Sequence, residues 1–178
     1  MAFTWQVSSS YIKSLGAALR VLGHTQRVLE GVGPGSRTAL TDPLKASWWP
    51  GEVLVDTVTV LGMDAAKEVS IRASRDGMGP LVRPLAAVVL TLTRHPQEAM
   101  LSRLGTFVSA GVKGVSTAFV PNGRGNGGRV SMRFPEPVPQ VMASVWTGMF
   151  DVGFTLARGG RVVSEQLEPT THHFDVEW

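Results

Sequence analysis

Three observations predict an α+β fold for this 178-residue chain. Apolar residues recur at helical spacing up to about residue 111, two strand-like alternations follow it, each folded about a turn, and one long helical stripe lies between them. The expected order is an N-terminal helical half, about 8–111, then a hairpin–helix–hairpin half, about 112–178, within a single domain spanning 1–178. A four-stranded antiparallel sheet with helices packed on one face buries these apolar faces together.

Ser8-Ser9-Ser10 can cap a helix whose Ile12, Leu15, Leu19 and Leu22 share a face, with Gly23 to stop it. Gly31 to Ser36 reads as a loop. Trp48-Trp49-Pro50 leads into an ambiguous run. Val53, Val55, Thr57 and Thr59 alternate as a strand would, whereas Val53, Leu54, Thr57, Val58 and Leu61 form a helical stripe. Pro50 in a first turn and Gly62 just past the end favour the helix. Asp64 can cap the next helix, Ala65 to about Arg75, which Gly77-Met78-Gly79-Pro80 ends. Leu81 to Arg94 reads as a largely buried helix with Pro84 in its first turn. Pro96 starts another, with Met100, Leu101, Leu104, Phe107 and Val108 on one face until Gly111.

Val115 to Val120 and Arg129 to Phe134 read as strands joined by a flexible glycine-rich connection over 121–128. Pro135 to Pro139 cannot continue a sheet and serves as a linker. The long helix then runs to Arg158, placing Met142, Val145, Trp146, Met149 and Val152 at three- and four-residue steps before Gly159-Gly160. Arg161 to Leu167 and Thr171 to Trp178 form the last hairpin. Phe174, Val176 and Trp178 face one way there, with Asp175 and Glu177 facing the other.

Composition narrows the chemistry. Apolar types make 43% of the chain and charged ones 17%, which excludes general disorder. Cysteine is absent, so disulfides, thiolate zinc sites, iron–sulfur clusters and a cysteine nucleophile are excluded. The pI of 9.8 overstates a net charge of only +3, because with one Tyr and no Cys almost nothing titrates between neutrality and the lysines. The opening Met1 to Val7 lacks the basic start of a signal peptide. The most apolar run, Leu85 to Thr93, is about half the roughly 20 residues of a membrane helix, so the expected location is cytoplasmic, without membrane attachment.

No nucleophile elbow, Walker loop, dinucleotide fingerprint or His-Glu-x-x-His is present, so no catalytic residue, cofactor or metal ligand is assigned and no enzyme is expected. The loop around Arg124 could cradle a phosphate, but it joins two strands and has no helix dipole behind it. His172 and His173 point to opposite faces of a strand and cannot share a metal without distortion. His24 and His95 sit near helix ends. Trp48 and Trp49 read as an aromatic wedge fixing a loop, or as a partner-binding anchor together with Arg124 and Arg129. Lys113 to Arg133 holds four bases and no acid, and Glu165 to Glu177 four acids and no base. If the hairpins share a sheet these charges pair, which weakens a nucleic-acid reading of the 113–133 hairpin.

The Trp48-Trp49-Pro50 segment, the strand–glycine-rich turn–strand unit, the long helix ending in glycine and the terminal Phe174-Asp175-Val176-Glu177-Trp178 together resemble a myxobacterial paralogous family of small proteins. That family is similar to 4-vinyl-reductase-type and haem-NO-binding-associated domains, and remotely to small subunits of the TRAPP complex. The resemblance runs from about Ile12 onward. It implies a sensory or regulatory domain, commonly a homodimer, that can hold an apolar small molecule beneath its sheet and act through dimer or partner contacts. The zinc site of phenol-sensing relatives does not carry over, since this chain has no cysteine. Read with the long helix, the resemblance makes Met142, Trp146, Met149 and Phe150 the candidate ligand-binding residues. The alternatives are a ligand-free protein–protein interaction module and a weak nucleic-acid binder.

Overall fold

The computed structural model describes residues 3–77 and 93–178, which form an α+β fold with two antiparallel sheets. β1 (Gln6–Ser8) leads into α1 (Ser9–Val21), α2 (Thr25–Gly31), α3 (Pro34–Thr41) and a 3-10 turn at Pro43–Lys45. β2 (Trp48–Pro50) precedes α4 (Glu52–Leu61) and α5 (Met63–Gly77). From residue 93 on come α6 (Pro96–Ser102), α7 (Leu104–Gly111), β3 (Val112–Lys113), β4 (Ser116–Pro121) and β5 (Gly127–Arg133). The chain closes with α8 (Met142–Leu156), β6 (Arg161–Leu167) and β7 (Thr171–Glu177).

The two hairpins meet in one sheet of order β4-β5-β7-β6, as their alternation predicts. β5 and β7 join them, with Val130 opposite Phe174 and Met132 opposite His172. All four of these side chains are buried, as is Val176, and they form the inner face. α8 lies beneath that face and packs on its far side against α5. It is therefore buried nearly all round, from Met142 to Gly148 and at Phe150, Val152 and Phe154. The large apolar stripe covers only part of this surface. The rest is Ala143, Ser144, Thr147 and Gly148, all small: Gly148 lets α5 approach closely, and the Thr147 hydroxyl turns to β6, where it donates to Glu165 at 3.1 Å. Ser70 Oγ on α5 donates to the Val145 carbonyl at 2.7 Å, and Lys67 pairs with Asp151 at 2.9 Å on the rim.

Several expectations are corrected. A second sheet, of order β2-β1-β3, ties residues 6–8 to 48–50 and 112–113. Trp48-Trp49-Pro50 is thus a strand, so Pro50 precedes α4 instead of standing in its first turn; Gly51 occupies the N-cap of α4. Glycine is needed at 51 because a Cβ there would lie 2.3 Å from Trp5 Cε2, and the Gly51 N–H already bonds the Trp5 carbonyl. The loop expected over Gly31 to Ser36 reduces to Val32 and Gly33, since Pro34 begins α3 with its pre-set φ. The helix expected from Pro96 to Gly111 is two, broken at Arg103. Phe107 is turned outward, 54% exposed, while Leu101, Leu104 and Val108 are buried. The 53–61 helix is as expected, and the helix placed at Ala65 to Arg75 extends over Met63–Gly77. The helix expected at Leu81 to Arg94 falls almost wholly outside the described residues.

At its C-terminal end α8 is stopped by three residues of positive φ, Arg158, Gly159 and Gly160. No helix among the described residues is long and apolar enough to cross a membrane.

Candidate binding site between the long helix and the sheet

The site is built around Phe134, just past the end of β5. Its ring lies 6.0 Å from that of Trp146 on α8, 5.4 Å from His172 on β7 and 5.8 Å from Trp5 before β1. His172 in turn lies 6.4 Å from Phe174, and Phe174 lies 5.2 Å from Phe150. Trp5 is carried to this cluster by Glu136 in the proline linker, whose Oε1 accepts from the Thr4 N–H at 2.9 Å and from the Thr4 hydroxyl. The four-stranded sheet, α8 and the segment before β1 therefore all bring rings to a shared interior.

These side chains carry polar atoms that the interior leaves idle. Trp5 Nε1, Trp146 Nε1 and both ring nitrogens of His172 are buried and make no hydrogen bond within the described residues. Each such group costs about 1–3 kcal/mol relative to a satisfied one, against a total stability of about 5–15 kcal/mol for a typical domain. Burial, and secondarily the neighbouring His173, push the His172 pKa below the ordinary histidine value. A neutral imidazole offers one N–H and one lone pair, and two indole N–H groups add donors. The cluster thus sets unpaired donors and a lone pair beside aromatic rings.

Of the four residues expected to bind a ligand, Met142, Trp146 and Phe150 are buried in this core and Met149 is half-buried. Trp5 and Phe134 are not among the candidate site residues of the sequence, and His172 is weighed there only as a metal ligand. His172 was readable in principle, since it shares the parity of Phe174 and Val176 on the inward face of β7.

The expected interaction residues lie elsewhere. Trp48 is half-buried beneath Lys113, whose Nζ sits 3.9 Å from its ring centre. Trp49 Nε1 donates to the Pro43 carbonyl at 2.9 Å. Both are half-buried in the strand β2 of the small sheet. Arg124 is exposed on the hairpin tip. That tip is tied down rather than loose, for Trp178 donates to the Gly125 carbonyl through Nε1 and to the Asn126 carbonyl through its backbone N–H. Arg129 donates to both carboxylate oxygens of Asp175, at 2.7 and 2.9 Å, and Ser164 Oγ adds a third bond at 2.6 Å. Of the four bases over 113–133, Arg129 thus pairs across the sheet with an acid of the last hairpin.

His173 lies on the opposite face from His172, with Nδ1 2.8 Å from Ser131 Oγ. β5 is flanked by strands on both sides, so its N–H groups serve the ladder and none converges on an oxyanion at Ser131. Among the described residues no group of three or more His, Asp or Glu could hold a metal ion.

The Arg129 guanidinium, with the Ser164 hydroxyl, holds the Asp175 carboxyl down to about 2. A carboxyl depressed on folding stabilises the native state above its unfolded value and loses that contribution as pH falls through the folded one. Thermal melts of wild type and Asp175→Asn should differ most above about pH 4 and converge toward pH 2. A gap that stays constant across that window would show the pair to be energetically idle.

No known protein family matches the chain, and no curated protein matches it in sequence. A solved structure described as "Modulating Heme Redox Potential Through Protein-Induced Porphyrin Distortion" is similar over 96% of this chain and 99% of that one, at 9% identity and a TM-score of 0.49. At that level the likeness carries no argument about this chain's chemistry.

Proposed function

We propose that this chain is a non-enzymatic regulatory domain that binds a small amphiphilic molecule between α8 and the four-stranded sheet. Its output would be a change in contacts with a second copy or another protein. The carrying observation is the set of idle buried groups, Trp146 Nε1 and the His172 nitrogens, facing a ring-lined interior. Buried polar groups are almost always hydrogen-bonded, so such a cluster favours a guest that supplies the missing partners. This amends the purely apolar ligand expected from the sequence: the guest needs an apolar body and one polar head. The suggested resemblance of the sequence to the myxobacterial paralogous family, itself similar to 4-vinyl-reductase-type domains, points to the same reading. A nucleic-acid role is disfavoured by the engagement of Arg129 with Asp175.

Calorimetry and thermal melts with octanol, octanoate and octane test it. The two molecules with polar heads should bind and raise the melting temperature, and the hydrocarbon should do so far less. Trp146→Phe keeps a ring and removes the N–H, and should weaken octanol binding by about tenfold. Equal responses to alcohol and hydrocarbon, or none to any probe, would sink the proposal.

A further inference from the structure

The hairpin tip carries two Asn-Gly steps, Asn122-Gly123 and Asn126-Gly127. In such a step the glycine nitrogen can attack the preceding side-chain Cγ. The bond from Cγ to the amide nitrogen breaks, ammonia leaves with the displaced proton, and a five-membered succinimide remains. Water then opens the ring to aspartate or isoaspartate, with no change of oxidation state. Glycine is the residue that least obstructs this attack.

The two steps are not equivalent. Asn122, Gly123 and Arg124 are exposed, and nothing lies within 4 Å of a Cβ built on Gly123. Asn122 Oδ1 accepts from the Arg124 N–H at 3.0 Å, which polarises the carbonyl to be attacked, and no hydrogen bond among the described residues engages the Gly123 N–H. Gly127, by contrast, is buried in the ladder opposite Glu177, and its Cβ position lies 2.3 Å from the Val176 carbonyl. Its own carbonyl accepts from the Asn122 N–H, and the Asn126 carbonyl is held by Trp178. The nitrogen of Gly127 has no room to swing onto Asn126.

We propose that Asn122 is a site of spontaneous deamidation in the folded protein and that Asn126 is shielded. Conversion removes the Nδ2 donor that holds Asn126 Oδ1 at 2.9 Å and sets two acceptors face to face. An isoaspartate also lengthens the backbone at the turn. Both changes loosen the tip that Trp178 clasps, and they place a negative charge beside Arg124.

The full chain, aged in mildly alkaline buffer at body temperature, tests this by peptide mapping with isoaspartate-specific methylation. Asn122 should convert at least about tenfold faster than Asn126 while folded, and the two should react at similar rates in urea, as expected for protection by native structure. The converted fraction should also be cut faster by trypsin after Arg124. Asn122→Gln should abolish the product at that position and leave Asn126 intact. Equal rates in the folded protein, or no product at Asn122, would overturn the assignment.

Discussion

Gly148→Val is expected to cost about 3 kcal/mol or more, enough to deplete the folded state of an ordinary domain. The glycine sits where α8 crosses α5. A Cβ there would stand 2.9 Å from the Lys67 carbonyl oxygen and 3.0 Å from Ser70 Cβ. The first obstacle is backbone, so relief requires the helices to part. Parting them breaks the 2.7 Å bond from Ser70 Oγ to the Val145 carbonyl and takes that acceptor from the buried Ser70 hydroxyl. Gly148→Ala balances two terms: a helix interior gains about 1 kcal/mol from the lost glycine entropy, and overpacking takes about 1–3. Alanine should therefore be neutral to mildly destabilising, and valine, which adds two further carbons at the same spot, should fail. Gly35→Ala in α3, where nothing lies within 4 Å, is the control and should be neutral or stabilising. Urea denaturation of the four proteins settles the order. If valine at 148 melts no earlier than alanine, the close crossing is not what constrains this position.

That crossing also shows why part of the fold was legible in the sequence and part was not. Strands β6 and β7, β4 and β5, and the helix α1 each announce themselves through a local period of large side chains, whereas α4 is ambiguous by period and is marked by Gly62 just past its end. The crossing of α8 with α5 shows no such period, because it is made at Gly148, which is buried by being small. A hydropathy stripe registers size and greasiness together and misses a face defined by the absence of bulk. The β2-β1-β3 sheet escaped for a different reason. Its strands are two or three residues long and come from positions 6–8, 48–50 and 112–113, so no alternation accumulates within any of them. Their pairing is dictated by Trp5, which needs glycine at both 51 and 114 to lie flat; a Cβ on Gly114 would meet the Trp5 backbone at 3.0 Å. The candidate site was half visible on the same grounds. Trp146 lies on the readable helical stripe, whereas Phe134 reaches it only through the tertiary meeting of β5, β7 and α8.

His172 is the residue whose environment is most readily tested by acid. Its side chain is wholly buried, with Met132 opposite on β5 and Leu167 on β6, beside the rings of Phe134 and Phe174. Among the described residues nothing bonds either nitrogen, so protonation would set a charge among apolar groups. Burial accordingly lowers its pKa from the ordinary 6.5. The unfolded chain therefore takes up the proton first. Native stability should fall as pH drops below about 6.5, by up to about 1.4 kcal/mol per pH unit for one proton, and the loss should stop only at the lower folded value. His172→Met fills similar space with an unbranched apolar chain and has nothing to protonate. At neutral pH it should be close to wild type or somewhat more stable, since an idle polar group has been exchanged for an apolar one. Toward pH 5 it should pull well ahead. The difference between the two stability curves isolates this residue from the other histidines and from carboxylates such as Asp175, which titrate in both proteins. Curves that run parallel from pH 7 to 5 would mean that His172 finds a partner for its proton in the folded state. Added octanol gives the complementary reading: a guest that bonds the neutral imidazole should protect wild type against mild acid more than it protects His172→Met. Protection equal in both would separate the acid sensitivity of this core from any role of His172 in holding a ligand.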